Sequence, residues 1–165
     1  MSTMNCVRRM SLILVIIFVI ILGTTRARAT DVIGTIQSMI EFSTFMAALE
    51  AAGLVSKLKG KDLFTVFVPT NKAFERLPPG ALDDLMKPEY RGKLRRLLNH
   101  HIVAGLVSAT ALVGKVIQKK PIEGSMLKID GLKMGIKIDE AMIETPDMAA
   151  DNGVIHSVDR VLFPQ

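Results

Sequence analysis

The sequence predicts an α+β fold in a single domain, with several short helices mainly in the N-terminal half and strands after them. Three observations carry this. Between Asp31 and Ala52 apolar residues recur every three or four positions, the period of a helix face. From Lys115 onward the apolar runs shorten, favour strand formers and are punctuated by Gly124, Gly131, Gly135, Pro146 and Asn152-Gly153. Helical patterns come first and strand patterns second, rather than alternating as a parallel α/β sheet requires.

Residues 1–29 read as a unit of their own. Arg8 and Arg9 precede an apolar run of 11 residues, 12–22, and the small-residue tripeptide Ala27-Arg28-Ala29 follows. This is a signal-peptide layout, and the run falls short of the about 20 residues a bilayer-spanning helix needs. Cleavage between Ala29 and Thr30 is expected, making the protein secreted or periplasmic without a stable membrane span and leaving residues 30–165 as one domain. Cys6, the sole cysteine, lies before the apolar run, so the domain has no disulfide, thiol nucleophile or thiolate metal site. The formal charge of +5 falls to +1 without the four arginines of residues 1–29, and with it the electrostatic footprint of a nucleic-acid binder.

Within the domain, Gly34 and the Ser43-Thr44 pair divide the first helical pattern into two short helices, and Gly53 stops it. Residues 63–68 read as a buried strand ended by Pro69. Thr70 or Asn71 caps a short helix carrying Ala73, Phe74 and Leu77, closed by Pro78-Pro79-Gly80. Residues 81–86 add a turn or two. Pro88 opens a longer helix through Leu94, Leu97 and Leu98, with Arg91, Lys93, Arg95 and Arg96 interleaved. Residues 100–105 read as a strand, Ser108 caps a helix to Leu112, and Gly114 ends that helix. Further strands are expected at 116–118, 126–129, 134–138, 142–145 and 154–163.

The segment Thr65-Val66-Phe67-Val68-Pro69-Thr70-Asn71-Lys72-Ala73-Phe74 and the later Asn152-Gly153-Val154-Ile155-His156-Ser157-Val158-Asp159-Arg160-Val161-Leu162 resemble the two signature boxes of the fasciclin (FAS1) domain family, in its secreted single-domain bacterial type. Pro78-Pro79-Gly80 and Leu97-Leu98-Asn99-His100-His101-Ile102-Val103-Ala104-Gly105 fall between them in family order, and the likeness covers residues 31–163. The resemblance implies the FAS1 fold, a β-wedge of two sheets flanked by helices in which both boxes supply adjacent central strands. It also implies a surface, matrix or periplasmic module working in cell adhesion. Thr70, Asn71, Phe74, His101, Asn152, Gly153 and His156 are then structural motif residues. His100-His101, where the family commonly has Tyr-His, and Asp147-Met148, in the place of an Asp-Ile pair, are the implied partner-binding residues. This sequence departs from the pattern twice: the tyrosine is lost at His100, and Asn71 stands where many members carry Asp, keeping a cap without the charge.

Three histidines invite catalytic or metal readings, and geometry discourages both. On strands, His100 and His101 point to opposite faces, as do His156 and Ser157, which leaves no local chelate or Ser-His pair. A site would need His101 and His156 to converge, joined by Asp147 or Asp159; hydrogen-bonded structural histidines are the better reading. Asp147, after Pro146, is expected in a turn between strands, either available to a partner or stabilising the turn. The cationic run is a solvated face or a contact for anionic polysaccharide or a membrane surface. The function expected is an exported, non-enzymatic FAS1 interaction or adhesion module for a protein or polysaccharide of the cell envelope, matrix or host surface, with no cofactor. The alternative is a carrier or sensor of a small apolar or haem-like ligand. A hydrolase would need a convergent nucleophile and base that the sequence does not display.

Overall fold

The strand read at 63–68 is β1, Phe64–Pro69, and all six of its residues are buried in the computed structural model. That structure describes residues 30–132 and 135–164; the signal-peptide reading of 1–29 and the start of the strand expected at 134–138 lie outside the described residues. The remaining strands are β2 (Ile102–Ala104), β3 (Val116–Lys119), β4 (Leu127–Asp130), β5 (Lys137–Ile138), β6 (Ala141–Ala150) and β7 (Gly153–Val158). They lie in the order β2-β1-β7-β6-β5-β4-β3. β1 and β7 run parallel, from Phe64 opposite Gly153 to Pro69 opposite Val158, so the two signature boxes are adjacent at the centre. Every other pairing is antiparallel. β6 joins the two halves end to end: Ala141 and Met142 pair with β5, whereas Ile143 to Ala150 face β7.

Alternation along β1 explains why it reads as a continuous apolar run. Phe64, Val66 and Val68 enter a larger core shared with the N-terminal helices, while Phe67 enters a smaller core with Leu127, Ile129, Ile138 and Val158. A strand covered on both faces has no polar side to show.

The helices are α1 (Val32–Gln37), α2 (Ser43–Ala52), α3 (Val55–Leu58), α4 (Asn71–Glu75), α5 (Ala81–Met86), α6 (Arg91–His100) and α7 (Ala109–Leu112), with 3-10 turns at Ile40–Phe42 and Pro88–Tyr90. The first helical pattern is divided as expected, with the second helix starting at Ser43, but the first runs through Gly34 to Gln37. Gly34 instead donates its N–H to the N-cap carboxylate of Asp31 at 2.7 Å. The chain bends by 108° at the break, which lets Val32, Ile33 and Ile36 of α1 share one core with Phe45, Leu49 and Ala52 of α2. Gly53 ends α2 in the left-handed conformation, φ 70°. Among the described residues no single helix is long and apolar enough to cross a membrane.

Three strand expectations are corrected. α6 continues to His100, because its Leu94, Leu97, Leu98 stripe keeps packing on the larger core, and the strand starts only at Ile102. The strand expected to stop at 145 passes through Pro146 to Ala150 by bulging, with register shifts on both sides of Thr145. The last strand ends at Val158 rather than 163.

Asn152 and Gly153 work as one joint. The Asn152 side chain accepts from Val32 N at 2.8 Å and donates to Leu58 O at 2.7 Å and Gly60 O at 3.0 Å, tying α1 and α3 to the start of β7. At Gly153 a Cβ would lie 2.2 Å from Phe64 O, so only glycine allows the close approach of β1 and β7. Gly153→Ala should therefore lower stability by about 2–3 kcal/mol. Gly92→Ala, in α6 with nothing near its Cβ, should raise it by up to about 1 kcal/mol. Urea denaturation of both variants checks this, and equal midpoints would refute the close-approach reading.

Candidate functional site

The polar side chains singled out in the sequence converge on the bulge of β6 and the end of α6. Pro146 has no N–H for the ladder, and Asp147 takes φ 55°, so these two residues stand opposite His156 alone. The displaced Asp147 N–H donates to His156 Nδ1 at 3.2 Å, and its carboxylate accepts from Ala109 N at 2.8 Å, in the first turn of α7. Asp147 thus lies inside a bulged strand rather than in a free turn. The residue is exposed, but one carboxylate oxygen is committed to a helix 38 residues away. Met148 turns back and packs partly buried against the larger core.

His156 is fully buried and stacks on Phe67 at 5.5 Å between ring centroids. Its Nε2–H donates to Val107 O at 2.8 Å, so both ring nitrogens are engaged in the neutral form. His101 is used in the same way. Its Nδ1–H donates to Leu97 O at 2.8 Å, while Nε2 accepts from Leu162 N at 2.9 Å, fastening the end of α6 to the chain beyond β7. Burial pushes His101 down to about 4, against the opposing Leu97 hydrogen bond. Burial likewise lowers His156, opposed by the Val107 carbonyl and Asp147. The two rings serve different joints, and no nitrogen of either is open to a metal or a haem. Asp159 is also occupied: it accepts from Met142 N at 2.7 Å and pairs with Arg76 at 2.8 Å.

His100 sits at the end of α6 rather than on a strand, and is 1% exposed. Its Nδ1 lies 3.2 Å from Ser125 Oγ and 3.5 Å from Glu123 Oε2, and its Nε2 lies 3.9 Å from Asp139 Oδ2. Serine, histidine and aspartate in one cluster suggest nucleophilic chemistry, but the bonds do not fit it. Ser125 Oγ donates to Glu123, so the proton a nucleophile must give to a base is held by a carboxylate. Asp139 is beyond hydrogen-bond reach of His100, whose Nε2 has no partner. Glu123 is held down to about 2 by the Ser125 hydroxyl first, then by the Ser125 N–H and Arg96, whose Nε lies 2.7 Å away. Burial lowers His100 as well, against Glu123 and Asp139. Glu123, Ser125 and Asp139 were not singled out in the sequence, since nothing local links them to a histidine 23 to 39 residues earlier.

The first signature box also works through cross-chain ties. Thr70 occupies the N-cap of α4 without a side-chain bond, whereas Asn71 caps another helix, accepting from Thr44 N at 3.1 Å and donating to Ile40 O at 3.0 Å. Phe74 is buried in the larger core. Beside Asp147 an apolar groove of about 310 Å³ is lined by Ala109, Val113, Ile136, Ile143 and Pro146, with Val113 62% exposed.

The fasciclin domain family model matches residues 40–164. Protein sll1483 of Synechocystis sp. is 38% identical over 123 residues, covering 74% of this chain and 67% of that one. Periostin of Homo sapiens is 35% identical over 147 residues, covering 83% of this chain but 17% of its own length. A solved FAS1 domain pair from the insect cell adhesion molecule fasciclin I superposes with a TM-score of 0.74 at 20% identity, over 81% of this chain and 51% of that one.

The neutral buried histidines set a pH dependence. Their unfolded-state value near 6.5 exceeds the folded one, so the unfolded chain takes up protons first. Stability is complete above the unfolded value and drains as pH falls from there toward about 4, by on the order of 3 kcal/mol from His101 alone. Urea titrations at about pH 7 and about pH 4.5 measure this. His101→Gln should be less stable at neutral pH and lose less on acidification; a wild-type slope in that variant would remove His101 as the titrating group.

Proposed function

We propose that this chain, which belongs to the fasciclin domain family, works by binding: it is an exported, non-enzymatic interaction and adhesion module for a protein or polysaccharide of the cell envelope, matrix or host surface. One observation carries the reading against catalysis. Of the side chains singled out for chemistry, His101 and His156 are spent through both nitrogens, Asp147 on α7 and Ser125 on Glu123, while the unpartnered Nε2 of His100 is buried. Adhesion is named for the insect protein whose domain pair shares this fold, and comes to this chain as part of the proposal.

Of the implied partner residues, His100 and His101 are each 1% exposed, so their part is to position the end of α6. The contact surface we assign instead centres on Asp147, Pro146 and exposed Val113, with Met148 anchoring the bulge beneath. Export is supported by the layout of residues 1–29.

Two measurements test this. Mass spectrometry of protein recovered outside the cytoplasm should find Thr30 as its first residue; retention of residues 1–29 would overturn the cleavage. Capture from envelope and matrix extract should yield a partner that Val113→Asp and Asp147→Ala each lose with folding intact, while ester and glycoside substrates are not turned over. Retention by both variants would overturn the surface, and turnover abolished by His156→Gln would overturn the non-enzymatic reading.

A further inference from the structure

We propose that the corner between α2, α3 and α6 is a binding site for an acidic saccharide; the inference rests on the binding reading above and names a ligand class for a second surface. A groove of about 530 Å³ is lined there by Gly53, Leu54, Ser56, Lys57, Arg95 and Asn99. Arg91, Arg95 and Asn99 recur at four-residue steps and form one stripe along α6, with Lys57 of α3 across the groove. Arg91 reaches the same corner, since a Cβ at Gly53 would meet its Nη2 at 2.8 Å.

Among the described residues the cations of this corner have no carboxylate partner, as is true of scattered surface lysines such as Lys59, Lys72 and Lys115, but here three of them meet at one groove. Arg76, Lys87, Arg96 and Lys137 each have a carboxylate partner. Among the described residues no carboxylate lies within ion-pairing distance of Lys57, Arg91 or Arg95. Like charges at i,i+4 repel across a helix face, and a bound anion relieves that repulsion. The buried end of the Asn99 amide is its oxygen, which has no partner, so the end it presents to the groove is the Nδ2 donor. Two guanidiniums, an ammonium, an amide N–H and the Ser56 hydroxyl give a lining rich in donors and free of acidic oxygens.

Such a lining fits a ligand with several anionic and hydroxyl oxygens. Buried Leu54 supplies an apolar floor for the C–H face of a sugar ring. The groove is concave, which a flat bilayer does not fill, and three cations are few for a nucleic-acid backbone.

The test is calorimetric titration of the purified protein with tetragalacturonate. Binding is expected, weakened about tenfold by Arg95→Gln and by Lys57→Gln, and unchanged in Lys115→Gln, a surface lysine outside the groove. Fully methyl-esterified tetragalacturonate should not bind. Equal affinity in the groove variants, equal affinity for the ester, or binding to phosphatidylglycerol vesicles without binding to tetragalacturonate would each overturn the site. If tetragalacturonate fails while a partner is still captured through Asp147 and Val113, this inference falls and the binding reading stands; loss of both overturns both.

Discussion

The parallel pairing of β1 with β7 is the constraint on which the rest of the structure depends. Six consecutive residue pairs join segments 89 residues apart, and the strands are buried on both faces. The larger core lies on one side of them and the smaller core on the other, so neither can close until the pairing forms. The approach is close enough that Gly153 has no room for a Cβ, and Asn152 is spent on holding α1 and α3 to that same point. Helix positions, the bulge and both grooves follow from where this pair sits.

The polar interior then acts as a set of ties between elements distant in sequence. A typical hydrogen bond adds only about 1 kcal/mol net, but a buried group that loses its partner costs about 1–3 kcal/mol, so these ties select one arrangement more than they add stability. Thr65 shows the pattern at small scale: its hydroxyl donates to Gly105 O and accepts from Val107 N, fixing the turn after β2. His156 holds the same turn from below, and Asp147 carries it on to α7. His101 fastens the other end of the central strands. The loops around the bulge are held by side chains of the two signature boxes and of the bulge itself.

What was legible in the sequence tracks the range of the interactions that decide it. The α+β class, the buried strand before Pro69, the stop at Gly53 and the order of elements rest on local patterns, and all are found. The family motifs placed β1 and β7 side by side, which no local pattern of this chain could do. Ser43-Thr44 marks the start of the second helix, whereas the end of the first is misplaced at Gly34, because it depends on two apolar faces meeting in one core. Residues 100 and 101 read as strand since β-branched Ile102 and Val103 follow them, whereas the leucine stripe of α6 decides their state. Pro146 reads locally as a strand end; a bulge stabilised by Asp147 on a helix 38 residues earlier leaves no mark on the neighbouring sequence. Glu123 and Ser125 were missed for the same reason, and only the replacement of the family tyrosine by His100 hinted at altered surroundings.

The long reach of the central pairing also bears on when the domain can fold. β1 comes early in the described chain and its parallel partner almost last, so the decisive contact closes one of the longest loops available. Long-range strand pairing of this kind is slow to form, and an incomplete chain leaves one edge of β1 open with apolar side chains on both faces. Folding is thus a property of the finished chain rather than of its growing end. Were such a chain threaded through a membrane pore, it would reach the far side with its core still to be assembled.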